Sequence, residues 1–130
     1  MERTLVDANR PWASVVGYSR AVRVGNLVEV SGTAAAGPDG RILAPGNVYG
    51  QAKAALETIG AALAEVGAGF EHVVRTRVYL QDPLRWEDAG RAHGEVFRDV
   101  RPANTTIGGV AFVDPDILVE IEVTAVVDGG

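Results

Sequence analysis

Between residues 48 and 66 the apolar side chains fall at Val48, Ala52, Ala55, Leu56, Ile59, Ala62, Leu63 and Val66. Spacings of three and four put them on one face of a helix. Asn47 stands where an N-cap belongs, and Gly67 or Gly69 supplies a stop. Elsewhere the period is two. Residues 18–24 and 27–31 alternate, and Gly25-Asn26 between them predicts a hairpin that Gly32 ends. Residues 37–47 hold Gly37, Pro38, Asp39, Gly40, Pro45, Gly46 and Asn47, the chemistry of a loop with a Pro-Asp-Gly turn. Val73–Leu80 predicts a strand with Val74, Thr76, Val78 and Leu80 on one face and Val73, Arg75, Arg77 and Tyr79 on the other. Asp82-Pro83 opens a second helix, since proline suits a first turn. Its apolar side runs through Trp86, Ala89, His93, Val96 and Phe97, and Pro102 breaks the segment beyond it. Residues 104–113 and 118–127 predict two further strands joined at Asp114-Pro115-Asp116.

The order ββ-α-β-α-ββ indicates an α+β fold with both helices on one face of a mixed sheet. Several strands are apolar on both sides, as in Leu27-Val28 and Val126-Val127. Two helices cover one face only, so the other calls for a second copy of the chain. No repeat, linker or low-complexity segment divides residues 1–130, which fit one domain.

Composition narrows the function. Hydrophobic residues make up 47% and aromatic ones 6%, so the core is built from Val, Leu, Ile and Ala. The absence of cysteine excludes disulfides, a thiolate metal site and a Cys nucleophile. Twelve basic against seventeen acidic residues leave a net charge of −5, and the basic residues are scattered, so no nucleic-acid partner is expected. Residues 1–15 carry Glu2, Arg3, Asp7 and Arg10 and lack an apolar run, and no stretch has the length of a membrane span. A soluble cytoplasmic protein with no membrane partner is expected.

Most catalytic signatures are missing. Gly67-Ala68-Gly69 follows a helix, the wrong context for a phosphate loop. His72 and His93 are the two histidines, and neither has metal-ligand spacing, so no metal site is expected. His93 at a core-facing helical position reads first as packed or hydrogen-bonded. Glu120 and Glu122 lie two apart in a strand, on one face, roughly 7 Å apart at the backbone. From pattern alone a solvated strand face is favoured; in a partly buried pocket such a carboxylate would be raised in pKa and could deprotonate a water. Ser31-Gly32 is a second candidate because glycine lets a ligand approach the backbone, and Tyr18 is a third.

These segments resemble one family in order along nearly the whole chain. Residues 17–28 resemble the opening "GPYSQAVRVGNLVFVSGQ" of the RidA/YjgF family, and Ser31-Gly32 falls on its SG. Residues 51–57 resemble "QTRQALEN", residues 73–80 "DVVKTTVFL", Arg101-Pro102-Ala103 "RPARS", and Val119-Glu120-Ile121-Glu122 "VEIEAIA". The resemblance implies a chorismate-mutase-like fold and a homotrimer built sheet to sheet around a barrel, with small-molecule pockets at the subunit interfaces. It implies hydrolysis of reactive enamines or imines to carbonyl compounds and ammonia, without metal or organic cofactor. Glu120 matches the family's water-positioning glutamate, and Tyr18, Ser31 and Gly32 match pocket residues. Asn104, with Thr106 beyond it, stands where the second arginine of "RPARS" grips a substrate carboxylate, and Gly90 stands about where the family has a helix asparagine. An uncharged amide cannot make that forked ion pair, so an altered substrate range is expected. The alternatives are a non-catalytic ligand-binding or chaperone-like trimer and, against the charge, an endoribonuclease.

Overall fold

The computed structural model describes residues 1–128. In chain order the elements are β1 Arg3–Val6, α1 Ala13–Val16, β2 Ala21–Val24, β3 Leu27–Ala34, α2 Val48–Glu65, β4 Val73–Leu80, α3 Trp86–Phe97, β5 Ala103–Ile107 and β6 Val119–Val126. The strands form one mixed sheet in the order β1-β2-β3-β6-β4-β5, parallel only between β4 and β5. Helices α2 and α3 cover one face. Leu56, Ile59 and Leu63 of α2, Phe97 of α3 and Val28, Ile121 and Val123 of the sheet are almost wholly buried there. Each such side chain contributes about 1.5–3 kcal/mol by leaving water.

The long helix follows its sequence signals. The Asn47 side chain accepts a hydrogen bond from the Gly50 N–H at 2.9 Å. At the other end Gly67 has φ +77°, and the Ala68 and Gly67 N–H groups bond back to the carbonyls of Leu63 and Ala64, which makes a Schellman stop. The two-residue turn between β2 and β3 has Gly25 at φ +59°, as the first central position of a II′ hairpin requires.

Several expectations are corrected. A strand, β1, and a short helix, α1, precede the expected hairpin, and β2 begins at Ala21 rather than at residue 18. Strand β3 does not end at Gly32. It runs to Ala34 through a bulge at Ser31-Gly32, where the register on β6 shifts between Val30 and Thr33. The extra residue reverses the alternation, so Val28, Val30 and then Thr33 face the core. A second irregularity at the start of β4 puts Val73 with Thr76, Val78 and Leu80 on the core side and leaves Val74 exposed. Strand β5 stops at Ile107, and β5 and β6 are not neighbours. Gly108 presses on Pro83, where a Cβ would meet the ring at 2.3 Å, and Gly109 has φ +77°. Trp86, expected in the core, is 59% exposed because α3 starts at that residue.

The face away from the helices carries Leu5, Leu27 and Val126, all about half exposed. Its centre is polar: the Tyr79 hydroxyl donates to Glu122 at 2.7 Å, and Arg77 lies 3.6 Å from the same carboxylate. Among the described residues no helix is long and apolar enough to cross a membrane.

Candidate functional site

The bulge in β3 creates the site. Beyond it Ala34 pairs with Glu120 of β6, so Gly32, Ala34 and Glu120 share the helix-free side. A Cβ on Gly32 would lie 2.9 Å from Glu120 Oε1, so glycine is the residue that lets the carboxylate sit against the strand. Glu120 is half-buried. Burial raises its pKa, Arg20 opposes that rise, and Glu122 adds to it.

A cavity of about 200 Å³ opens above this carboxylate. Trp12, Val16 and Val113 supply apolar wall, and Arg10, Tyr18 and Arg20 supply polar groups. The chain reaches it through α1, which Gly17 closes at φ +80°, so that Tyr18 follows at once. Arg20 is 4% exposed. Its Nη1 donates to the Gly32 carbonyl and to Thr33 Oγ1, both at 3.0 Å, and its Nη2 reaches the Tyr18 hydroxyl at 3.5 Å. Arg10 donates to the carbonyls of Asn9 and Ala8 at 2.9 and 3.3 Å. Burial, and then the nearby Arg20 charge, lower its pKa. A shallower depression of about 530 Å³ shares Arg10 and Tyr18 and continues past Asp7 and Ser14. The two arginines were not singled out by the sequence pattern. The one signal for Arg20 is that the family opening has glutamine at that place.

Ser31 lies beside this cavity rather than in it. Its hydroxyl donates to the Ser19 carbonyl at 2.6 Å, and it lines a separate depression with Glu29, Arg77 and Glu122.

Asn104 and Thr106 lie elsewhere. In β5 they pair with Thr76 and Val78, both core-facing positions, and they line a cavity of about 170 Å³ with Trp86, Gly90 and His93. Thr106 donates to Asn104 Oδ1 at 3.1 Å, and Asn104 Nδ2 donates to Thr76 Oγ1 at 3.0 Å. Thr76 Oγ1 lies 2.8 Å from His93 Nε2. The threonine hydroxyl can give its proton to Nε2 or accept one from it, according to the imidazole tautomer. Burial lowers the His93 pKa, which favours the neutral ring. Arg101 is exposed at φ +57° and lines neither cavity. Within one chain the candidates therefore divide: Tyr18, Gly32 and Glu120 share one cavity, and Asn104 and Thr106 share the other. Among the described residues no three His, Cys, Asp or Glu side chains converge to hold a metal ion.

The chain is similar to known proteins over almost its full length. The family model described as Endoribonuclease L-PSP matches residues 8–127. An uncharacterized protein of Streptomyces coelicolor is 41% identical over 120 residues, 92% of this chain and 89% of that protein. The mouse 2-iminobutanoate/2-iminopropanoate deaminase is 32% identical over 124 residues, 95% of this chain and 91% of that protein. Among solved structures, a Mycobacterium tuberculosis member of the YjgF/YER057c/UK114 family superimposes with a TM-score of 0.86 at 40% identity, covering 97% of this chain and all of that one.

Proposed function

The chain belongs to the Endoribonuclease L-PSP family, also known as RidA/YjgF, and from that premise we propose that its Glu120 cavity hydrolyses a reactive imine or enamine to a carbonyl compound and ammonia. The observation that carries the reading is Glu120: a half-buried carboxylate, raised in pKa by burial, set over a small cavity against Gly32. A raised pKa makes the carboxylate a stronger base than a solvated glutamate. Glu120 takes a proton from water as the oxygen bonds to the C=N carbon, and the nitrogen takes up a proton. The resulting carbinolamine then loses ammonia as its C=O forms. Atoms balance as imine plus water giving carbonyl compound plus ammonia. Relatives named as imine deaminases support this reading.

The half-exposed Leu5, Leu27 and Val126 favour burial of the helix-free face against other copies of the chain. The homotrimer that the family resemblance suggests is one way to cover that face. A second reading, a trimer that binds a ligand without turning it over, is favoured by Asn104, whose amide is already spent on Thr76 and Thr106. RNA cleavage finds no support in a chain of net charge −5.

The test uses imines generated from a panel of amino acids by an amino-acid oxidase and trapped by semicarbazide. Native protein should outcompete the trap and Glu120→Gln should not. Equal rates for the two would reject the mechanism, and binding without turnover across the panel would favour the second reading.

A further inference from the structure

The bulge that sets Gly32 against Glu120 is held by the two residues that precede β2. A bulge takes its extra residue out of the ladder, and here Ser19 and Arg20 supply partners. The Ser31 N–H donates to the Arg20 carbonyl at 2.9 Å, and the Ser31 hydroxyl donates to the Ser19 carbonyl at 2.6 Å. Arg20 Nη1 donates to the Gly32 carbonyl and to Thr33 Oγ1, and the Thr33 hydroxyl donates to the Ser31 carbonyl at 2.7 Å. The same guanidinium lies 5.7 Å from the centre of the Tyr18 ring. Yet Arg20 is 4% exposed and forms no ion pair among the described residues. Burying a guanidinium is costly. Its acceptors in the bulge are neutral, and its Nε is buried without a hydrogen-bond partner. Hydrogen bonding alone therefore does not account for a charge at this place. The acid that lines the same cavity is Glu120.

We propose that Arg20 is a positioning residue for Glu120: it pins the bulge that seats the carboxylate and supplies that carboxylate with a fixed counter-charge. This role deepens the imine-hydrolase reading and rests on it. Burial pushes the Glu120 pKa up, the Arg20 charge opposes the rise, and Glu122 adds to it. Of the other titratable groups around the carboxylate, Arg10 and Tyr18 line the cavity. Tyr79, paired with Glu120 from β4, gives its hydroxyl to Glu122. Strand β3 meets Glu120 with Ala34, which carries no charge. Arg20 is the buried cation of this set. A carboxylate that takes a proton from water needs both its charge and its seat fixed, and one guanidinium serves both ends.

The test reads the Glu120 titration by NMR of its carboxyl carbon, with no substrate present, beside kcat for imine hydrolysis across pH. Glu120→Gln identifies the resonance. Arg20→Gln should raise the titration midpoint and carry the acid limb of the kcat profile up with it. It should also lower the plateau by about tenfold or more, because the bulge loses its anchor. Arg20→Lys keeps the charge, so the midpoint should stay at its native place. Its plateau should still fall, because an ammonium lacks the planar fork. Circular dichroism checks both folds, and Arg20→Lys decides the matter if Arg20→Gln does not fold. A midpoint left unmoved by Arg20→Gln, a midpoint raised by Arg20→Lys, or a native plateau in Arg20→Lys overturns the proposal. A midpoint raised by Arg20→Gln in a protein that hydrolyses no imine keeps the coupling of Arg20 to Glu120 and rejects the hydrolase. An active native protein whose midpoint ignores Arg20→Gln does the reverse.

Discussion

The cavities around Glu120 and Asn104 are close in size, about 200 and 170 Å³, and opposite in character. The Asn104 cavity is neutral and satisfied. Thr106, Asn104, Thr76 and His93 pass hydrogen bonds along a chain with no charge at any link. The Glu120 cavity is charged and under-satisfied, with a carboxylate raised by burial and, among the described residues, two guanidinium groups outside any ion pair and a buried Arg20 Nε without a hydrogen-bond partner. A satisfied network rigidifies a fold, whereas unsatisfied charge at a cavity waits for a ligand. On the proposed reading, the first cavity serves structure and the second serves chemistry.

The largest expected effect is on the charged side. Glu120→Gln should lower kcat for imine hydrolysis by roughly 10²- to 10⁴-fold, the usual worth of a general base, while circular dichroism stays native. Next comes Gly32→Ala. Its methyl would sit 2.9 Å from Oε1, and displacing a reacting group by about an ångström costs up to ~100-fold. Activity should fall with little change in the melting curve.

The neutral side should respond the other way. Thr76→Val leaves the Asn104 amide and the His93 ring nitrogen without partners. It should cost about 1–3 kcal/mol in urea unfolding while kcat changes little. A Thr76→Val that abolished hydrolysis at native stability would erase the contrast.

The smallest effects are in pH. Burial holds the Glu120 pKa above its ordinary range, so the base is lost, and kcat/KM falls, at a pH above the usual glutamate value near ~4.3. Arg20 pulls that pKa down, so Arg20→Gln should move the acid limb higher still. His93 is depressed in the folded state, so the unfolded chain takes the proton first. Stability present above the ordinary histidine value, about 6.5, is lost as pH falls below it. His93→Gln should flatten that part of the urea profile.

Legibility in the sequence followed local rules and failed where those rules were broken. Helix α2 was readable because cap and periodicity agreed along its length, whereas β4 was readable in its bounds but not at its start, where the irregularity moves Val73 to the core side and leaves Val74 exposed. The bulge at Ser31-Gly32 was not, because one extra residue reverses the alternation that a pattern reading assumes. Strand β1 has four residues, only Val6 of them buried, too little for an apolar signal. Strand β5 read long because Gly108 and Gly109 stop it through contact and backbone angle rather than through polarity. Of the candidate site, Tyr18, Gly32 and Glu120 could be placed by resemblance, and the structure sets them around one cavity. Arg20 looked like an ordinary polar position in a strand, and its burial follows from Gly32 and Thr33 taking its hydrogen bonds across the bulge.

Whether the charged cavity is the reactive one is decided by kcat/KM for 2-iminopropanoate, made from alanine, in native protein, Glu120→Gln and Asn104→Arg. Native protein should be active, Glu120→Gln should not, and Asn104→Arg should add little. An inert native protein made active by Asn104→Arg would overturn this assignment, for the missing arginine would then have been the only carboxylate anchor the site could use.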